Sequence, residues 1–182
     1  MGRACSHHNQ VAASPRKDMK MADLQNTQTS VTLRPGRPSD SSACGRICYE
    51  AFEAIARQHN LPPDLRSLDV ATELIMMLLS HPGFFSVVAE AGGEIVGSNF
   101  LDERSTIAGV GPITVDPKLQ NLRIGRRLMQ AVLDRAAERK LAGIRLLQSA
   151  YHCRSLPLYA SLGFLPRESI ACMQGPAIGV LP

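Results

Sequence analysis

The amino-acid sequence predicts a mixed α/β (α+β) fold, in which a mostly antiparallel sheet of about six to seven strands has helices on both faces. Two observations favour this fold. The segments "FFSVVAE" and "EIVGSNFL" flank a glycine-rich turn at 91–93, which is typical of a β-hairpin. A strand over 107–115, a helix over 124–141 and a strand over 143–149 then form a β-α-β crossover. Such a crossover places its two strands parallel, and we expect this pair to be central in the sheet.

The composition is that of an ordinary globular chain, with 182 residues of which 45% are hydrophobic and 20% charged. The net charge of +4 suits a phosphate-bearing ligand as well as nucleic acid. We expect no nucleic-acid partner, because the chain has no Trp, three Tyr and five Phe, too few for an aromatic platform under bases. No run of about 18 apolar residues occurs, so we also expect no membrane span.

The five cysteines lie at positions 5, 44, 48, 153 and 172 without a CxxC pair, which favours neither a disulfide framework nor a metal site. Cys44 and Cys48 are four residues apart on a predicted helix. We interpret them as small core residues in a reducing compartment, which favours a cytoplasmic location.

The first 30 residues are polar and show no apolar period, so they are predicted to be a disordered tail before a domain over 31–182. Within the tail, residues 1–17 have three basic residues and no acid, as in a transit peptide. The amphipathic apolar content of such a peptide is missing, which argues against that alternative.

The first half of the domain begins with the short strand "VTLRP" and continues into two predicted helices. The first helix starts at 38–40 and runs to His59, with an apolar stripe that includes Ile47, Phe52 and Ile55. After a Pro-Pro break, residues 68–81 predict the second helix. We expect its inward-facing residues to include Leu74, Met77 and Leu78.

The second half is built around the helix over 124–141, whose apolar positions lie on one face at 124, 128, 132, 133 and 136. A short helix from Ser155 to Leu162 is expected to end at Gly163. "FLPRE" and "IACMQG" are predicted to close the chain as short strands over 164–168 and 170–175.

The strand over 107–115 has an unusual composition. Gly109, Gly111 and Pro112 weaken it and indicate a bulge, which would splay it from its parallel neighbour. The main chain of residues 113–115 would then lack partners inside the protein, and a ligand could supply them. The alternative is an edge strand with a harmless kink.

A basic loop follows this strand and leads into the long helix. Main-chain N–H groups of residues 121–126 would converge at the helix N-terminus, a geometry that binds anions. Arg123, Arg126 and Arg127 add positive charge. The alternative is a solvated basic face of the helix.

Two segments resemble the GNAT N-acetyltransferase superfamily. Gln120-Asn121-Leu122-Arg123-Ile124-Gly125 is similar to the family's pyrophosphate loop, and "SLPLYASLGF" over 155–164 is similar to its late helix. The resemblance covers roughly residues 31–174 and implies that acetyl-CoA is bound as co-substrate, with no metal. It implies that the cofactor contacts Ile113, Thr114, Val115, Gln120, Asn121, Leu122, Arg123, Ile124, Gly125, Arg126, His152 and Ser155.

The resemblance also implies a catalytic role for Tyr159 as the general acid that protonates the departing thiolate. The alternative for Tyr159 is a core tyrosine with its hydroxyl satisfied. His152 occupies the position of a cofactor-contacting Asn in many members, and otherwise would be a surface residue at a strand end.

Two departures from the family pattern concern the loop and the base. Arg123 replaces a glycine and would cost roughly 1–2 kcal/mol if its φ is positive. No acid lies on the 107–115 strand, so Glu90, Asp102 or Glu103 would have to act as a base through water; otherwise each is a surface carboxylate.

The resemblance therefore implies an acetyl-CoA-dependent N-acetyltransferase that transfers an acetyl group to a primary amine by direct attack in a ternary complex. The amine could belong to a small molecule, a peptide or a protein. The alternative is a catalytically weak acyl-CoA-binding or regulatory module. The apolar end "PAIGVLP" could pair with a second copy, so a homodimer is one arrangement that the sequence allows.

Overall fold

The computed structural model describes residues 31–120 and 122–171. The predicted tail over 1–30, the loop residue Asn121 and the apolar end of the chain lie outside the described residues. Within them the strands are β1 Thr32–Pro35, β2 Phe84–Ala91, β3 Glu94–Asp102, β4 Ile107–Val110, β5 Thr114–Val115 and β6 Gly143–Leu146. The α-helices are α1 Ser41–Gln58, α2 Leu68–Ser80, α3 Ile124–Glu138 and α4 Leu156–Ala160.

The described strands form a mixed, mostly antiparallel sheet in the order β1-β2-β3-β4-β6, and β5 joins it by pairing with β3. The hairpin between β2 and β3 is confirmed. Its two turn residues, Gly92 and Gly93, have φ values of 60° and 83°, which only glycine adopts without strain. The β4–β6 pair is parallel, as the crossover predicts.

The sheet has a hydrophobic core on each face, because neighbouring strand residues point in opposite directions. Val87 packs with α3 residues such as Leu128 and Val132. The next residue, Val88, belongs to the other cluster with Cys44 of α1 and with α2 residues. Helices therefore cover both faces, as predicted: α1 and α2 lie on one face, and α3 and α4 lie on the other.

The two cysteines of α1 are core residues, as the sequence indicates. Cys44 and Cys48 are 0% and 1% exposed. Burial raises the pKa of the Cys44 thiol to about 11 and that of Cys48 to about 12. Both thiols are therefore uncharged at neutral pH.

The inward face of α2 differs from the predicted one at Met77, which is 46% exposed. The buried positions are Ala71, Ile75 and Leu78, spaced i, i+4 and i+7 on one face. Met77 belongs to the opposite side of the helix. The run of apolar residues over 74–79 concealed this face, because almost every position in it is hydrophobic.

An ionic cluster ties the first strand to the start of α1. Arg34 of β1 pairs with Asp40 and with Glu90 of β2, each at 2.7 Å between nitrogen and oxygen. Asp40 also accepts the Arg37 N–H at 2.8 Å. These contacts, led by the Arg34 hydrogen bond, hold the pKa of the Asp40 carboxyl below its usual value.

The predicted strand over 164–168 is wrong, because these residues have no regular structure, and most of the strand predicted over 170–175 lies outside the described residues. As a result, the parallel pair that we expected to be central lies at the end of the described strand order. Pro166 cannot donate a ladder hydrogen bond, which is consistent with the missing strand. Among the described helices, none has the length and apolarity required to cross a bilayer.

Candidate active site

The sheet forks where the sequence predicts a splay. The segment over 107–115 is divided into β4 and β5 by three residues that include a cis peptide bond between Gly111 and Pro112. β4 pairs with β6 over four residues and ends opposite Leu146, whereas β5 pairs with β3. Beyond Val110 and Leu146 the two parallel neighbours therefore separate, and a wedge opens between β5 and the chain after β6.

The main chain of β5 presents one side to this wedge. Asp116 donates its N–H to the Val96 carbonyl at 2.9 Å, so the groups of the preceding residue, Val115, point away from β3. The Val115 carbonyl accepts the Gln120 side-chain amide at 3.3 Å. Thr114 pairs with Ser98 of β3, so its main chain is directed away from the wedge, unlike the prediction for all of 113–115.

Gly97 of β3 makes the close approach of β5 feasible. A Cβ atom added there would lie 2.8 Å from the Thr114 carbonyl oxygen and 3.1 Å from Leu128 Cδ1. No side chain fits without a shift of the main chain. Sequence analysis did not identify this residue, although a glycine inside a strand pattern is a signal of close backbone approach.

The loop after β5 runs to the N-terminus of α3. Arg123, the residue before the helix, has φ 60° and ψ 10°, so the left-handed conformation considered from the sequence is present. The Arg127 N–H donates to the Arg123 carbonyl at 3.1 Å. The N–H groups of residues 124–126 precede this helical bond and lie at the positive end of the helix dipole.

The three loop arginines are placed differently. Arg126 donates to the Ser161 hydroxyl at 2.8 Å, and Arg127 donates to the Val31 carbonyl at 2.7 Å. The Arg123 side chain is exposed, and no partner for its guanidinium is found within residues 31–120 and 122–171. Two of the arginines therefore brace the helix, and Arg123 is left to face solvent.

The first turn of α3 brings the wedge and α4 together. A Cβ atom on Gly125 would lie 3.6 Å from Leu158 Cδ2 and 3.8 Å from Val115 Cγ2, which are ordinary contact distances. The fork, the helix end and the helix that bears Tyr159 thus meet at one place in the fold.

Tyr159 lies on the buried side of α4. The residue is 9% exposed, and its ring contacts Phe164 with centroids 6.2 Å apart. Burial raises the pKa of the Tyr159 phenol, and a hydrogen bond with the Ser155 side chain acts in the opposite direction. The phenol is therefore protonated at neutral pH.

His152 and Ser155 lie together at the start of α4. The Ser155 hydroxyl oxygen is 3.2 Å from His152 Nδ1. Burial lowers the pKa of His152, and the positive charges of Arg154 and His59 act in the same direction. His59, at the end of α1, has its ring 5.2 Å from that of Tyr151. The end of α1 therefore lies against the loop that holds His152, a contact that sequence analysis did not predict.

The three carboxylates considered as bases are all ion-paired. Glu90 pairs with Arg34, Asp102 with Arg104 at 2.7 Å, and Glu103 with Arg135 at 2.6 Å. The hydrogen bond from Arg104 leads the effects that hold the pKa of Asp102 below its usual value. In the described ranges no group of three or more His, Cys, Asp or Glu side chains could hold a metal ion.

Comparison with sequence families gives a match over most of the domain. Residues 47–164 match the sequence model of the acetyltransferase (GNAT) family. No curated protein matches the chain.

Comparison with solved structures finds proteins that share the fold of this chain. The aminoglycoside N-acetyltransferase AAC(6')-Iy in complex with CoA is 13% identical, with a TM-score of 0.64 over 81% of this chain and 95% of that one. A predicted acetyltransferase from Clostridium acetobutylicum with acetyl-CoA is 14% identical, with a TM-score of 0.60 over 79% and 96%. An aminoglycoside acetyltransferase from an uncultured soil metagenomic sample in complex with trehalose is 18% identical, with a TM-score of 0.59 over 82% and 98%. At these identities the likeness concerns the fold.

Proposed function

The chain belongs to the GNAT acetyltransferase family, and from this premise we propose that it is an acetyl-CoA-dependent N-acetyltransferase that acetylates a primary amine. The fork between β5 and the chain after β6 supports this proposal most strongly. It presents a main-chain edge beside a helix N-terminus, which suits an amide-bearing chain that ends in a diphosphate. Two structures with this fold hold CoA or acetyl-CoA.

The pantetheine amides pair with the main chain of Ile113, just before β5, and with the Val115 carbonyl. Thr114 supports this edge from the other side, through its pairing with Ser98. Gln120 steadies the Val115 carbonyl through its side-chain amide. The outward-facing groups of Val115 are the ones best placed for this contact, because the strand alternates.

The diphosphate is bound by the loop and the first turn of α3, over residues 120–126. The N–H groups of Ile124, Gly125 and Arg126 precede the first helical hydrogen bond of α3 and supply donors, and the helix dipole favours the negative charge. Asn121 and Leu122 complete the loop in the family pattern. The exposed guanidinium of Arg123 adds a charge-assisted contact to a phosphate oxygen.

Transfer occurs by direct attack in a ternary complex. The amine nitrogen attacks the acetyl carbonyl carbon, the carbon–sulfur bond breaks, and the amine loses a proton to water. The Val115 N–H polarises the carbonyl oxygen as an oxyanion donor. Loss of the amine proton to water is consistent with the structure, because the carboxylates of Glu90, Asp102 and Glu103 are ion-paired.

Tyr159 donates its phenolic proton to the departing thiolate. The raised pKa of Tyr159 keeps the proton on the phenol until the thiolate forms. His152 and Ser155, at the start of the same helix, border the cofactor near its sulfur end.

The test is release of CoA thiol from acetyl-CoA in the presence of a panel of small amines, amino acids and peptides. The proposal expects release that depends on one class of amine. Binding of acetyl-CoA without release by any amine would instead support the alternative, a catalytically weak acyl-CoA-binding module. The ion-paired carboxylates are the observation that favours this second function, because no candidate base is free among them.

A further inference from the structure

The first turn of α3 and the end of α4 are joined by a hydrogen bond between side chains that are 35 residues apart in the sequence. Arg126 donates from Nη1 to the Ser161 hydroxyl oxygen at 2.8 Å. Beside this bond, a Cβ atom on Gly125 would lie 3.6 Å from Leu158 Cδ2. The turn that follows the loop after β5 is therefore in contact with α4 at two neighbouring points.

The Ser161 hydroxyl donates one hydrogen bond and accepts another. It donates to the Leu158 carbonyl at 2.8 Å while it accepts from Arg126. A hydroxyl has one proton and two lone pairs, so both bonds can form at once. Leu158 immediately precedes Tyr159, and Ser161 comes two residues after it. The bonded groups therefore flank the tyrosine along the chain.

The position of α4 depends on its neighbours. The helix spans Leu156–Ala160, and five residues are too few for a helix to be stable through its own hydrogen bonds. Its first residue, Leu156, is 44% exposed, whereas Tyr159 is buried and its ring contacts Phe164. The tyrosine packing fixes the buried side of α4, and the hydrogen bond from Arg126 fixes its end against α3.

Arg126 belongs to both ends of the proposed cofactor site. Its main-chain N–H precedes the first hydrogen bond of α3, which runs from the Arg127 N–H to the Arg123 carbonyl. That N–H is therefore one of the donors that we assign to the diphosphate. The guanidinium of the same residue contacts the end of α4. One residue thus connects the diphosphate end of the site to the helix that bears Tyr159.

We propose that Ser161, through Arg126, is a positioning residue that holds Tyr159 at a fixed place relative to the first turn of α3. It rests on the proposed function, in which that turn binds the diphosphate and Tyr159 protonates the thiolate at the other end of the cofactor. A small displacement of a reacting group lowers the rate strongly even where the ligand still binds. Loss of the bond should therefore slow acetyl transfer more than it weakens the cofactor complex.

The bond lies at the surface, which makes the proposal testable. Because both side chains are exposed, the bond contributes little to the free energy of unfolding, and its loss should leave the chain folded. The experiment uses the full chain and compares wild type with Ser161→Ala, Ser161→Thr and the control Ser80→Ala. Ser80 is an exposed serine at the end of α2, and its hydroxyl contacts Met76 of the same helix.

Steady-state kinetics with the best amine of the panel give the first result. We expect Ser161→Ala to lower kcat roughly tenfold, and Ser161→Thr, which keeps the hydroxyl, to restore most of that loss. The Kd for acetyl-CoA, measured by calorimetry, should change less than about twofold in Ser161→Ala. Ser80→Ala should match wild type in both measurements.

A double-mutant cycle with Arg126→Met tests whether the two residues act together. Methionine keeps the main-chain N–H at position 126 and removes the guanidinium. If the bond between the side chains is the cause, the kcat of the double variant should lie within about twofold of that of Arg126→Met alone. Losses that multiply in the double variant would overturn the proposal. So would a wild-type kcat in Ser161→Ala, a loss confined to the Kd for acetyl-CoA, or a Ser161→Thr variant as slow as Ser161→Ala.

A wild type that transfers acetyl to no amine would instead remove the proposed function, and the hold on α4 is then tested without substrate. The reporter is amide hydrogen exchange at Phe164, whose N–H donates to the Tyr159 carbonyl at 3.1 Å. Ser161→Ala and Arg126→Met should each speed this exchange roughly threefold or more in the unliganded chain, and Ser80→Ala should not. Unchanged exchange in either variant would show that the bond does not hold α4 in place.

Discussion

Gly97 of β3 faces Thr114 of β5 so closely that a Cβ atom on Gly97 would lie 2.8 Å from the Thr114 carbonyl oxygen. This approach keeps β5 on β3 while β4 follows β6, and the wedge in the sheet depends on it. A side chain at position 97 would push β5 toward the wedge.

Gly97→Ala should therefore destabilise the protein and weaken acetyl-CoA binding together. Overpacking against a fixed main chain costs roughly 1–3 kcal/mol. Chemical denaturation and calorimetry measure the two effects. Gly109→Ala on β4 is the matched control, because its added Cβ atom would lie 3.7 Å from the nearest atom, Asp102 Cβ, at an ordinary contact distance. Equal stability of the two variants would contradict this description of the fork.

Replacement of Arg123 by glycine should separate backbone strain from ligand contact. Arg123 has φ 60°, which costs roughly 1–2 kcal/mol. Removing this strain should stabilise the fold, but part of the stabilisation is offset because glycine gains more conformational entropy on unfolding. The free energy of unfolding should therefore rise by up to about 1 kcal/mol. The Kd for acetyl-CoA should rise roughly fivefold as a charge-assisted phosphate contact is lost.

Lys140→Gly is the control for that variant. Lys140 has φ 52° at the other end of α3, so its backbone should be relieved in the same way. It should leave the Kd for acetyl-CoA unchanged. A weaker Kd in both variants would mean that loss of any positive charge, and not a contact at Arg123, controls affinity.

Loss of the Asp40 charge should change how stability depends on pH. The pKa of Asp40 is lowered in the folded protein, chiefly by Arg34, so its contribution is present above the unfolded pKa and is lost as pH falls through the folded pKa. Asp40→Asn should cost about 1–3 kcal/mol near pH 7 and flatten the decline below about pH 4. Urea titrations from pH 2 to 7 measure this, with the exposed Asp134→Asn as control. If the stability of Asp40→Asn declined at low pH as steeply as that of the wild type, the acid sensitivity would come from groups other than Asp40.

Tyr159→Phe should lower kcat roughly 100-fold or more, because a general acid contributes at least that much. The ring remains packed against Phe164, so folding and the Kd for acetyl-CoA should stay near wild type. Tyr49→Phe on α1 is the control. Steady-state kinetics with the best amine of the panel measure the effect, and an unchanged kcat would make Tyr159 a core residue only.

Much of the fold could be predicted because local chemistry dictates it. The Gly92-Gly93 turn, the parallel crossover and the two buried cysteines of α1 follow from periodicity and turn residues. The weak strand around Pro112 also indicated the fork correctly. These features depend on residues that are neighbours in the sequence or belong to one element.

The parts that could not be predicted depend on contacts between distant elements. The inward face of α2 was misassigned at Met77, because a continuous apolar run hides its own face. Which main-chain groups of β5 face the wedge could be told only from the pairing of Thr114 with Ser98. The ion pairs of Glu90, Asp102 and Glu103 could be identified only once their arginine partners were located in the fold.

The measurement that tests the central claim most directly is a calorimetric titration of the full chain with acetyl-CoA, beside Gly125→Asp. One equivalent should bind with a dissociation constant between roughly 1 µM and 1 mM, the range of typical KM values. Gly125 has room for a small side chain, so the variant should fold, and its carboxylate should repel the diphosphate and abolish the heat of binding. No heat from the wild-type chain at millimolar acetyl-CoA, or equal binding by the variant, would contradict the assignment of this fork and helix end as the cofactor site.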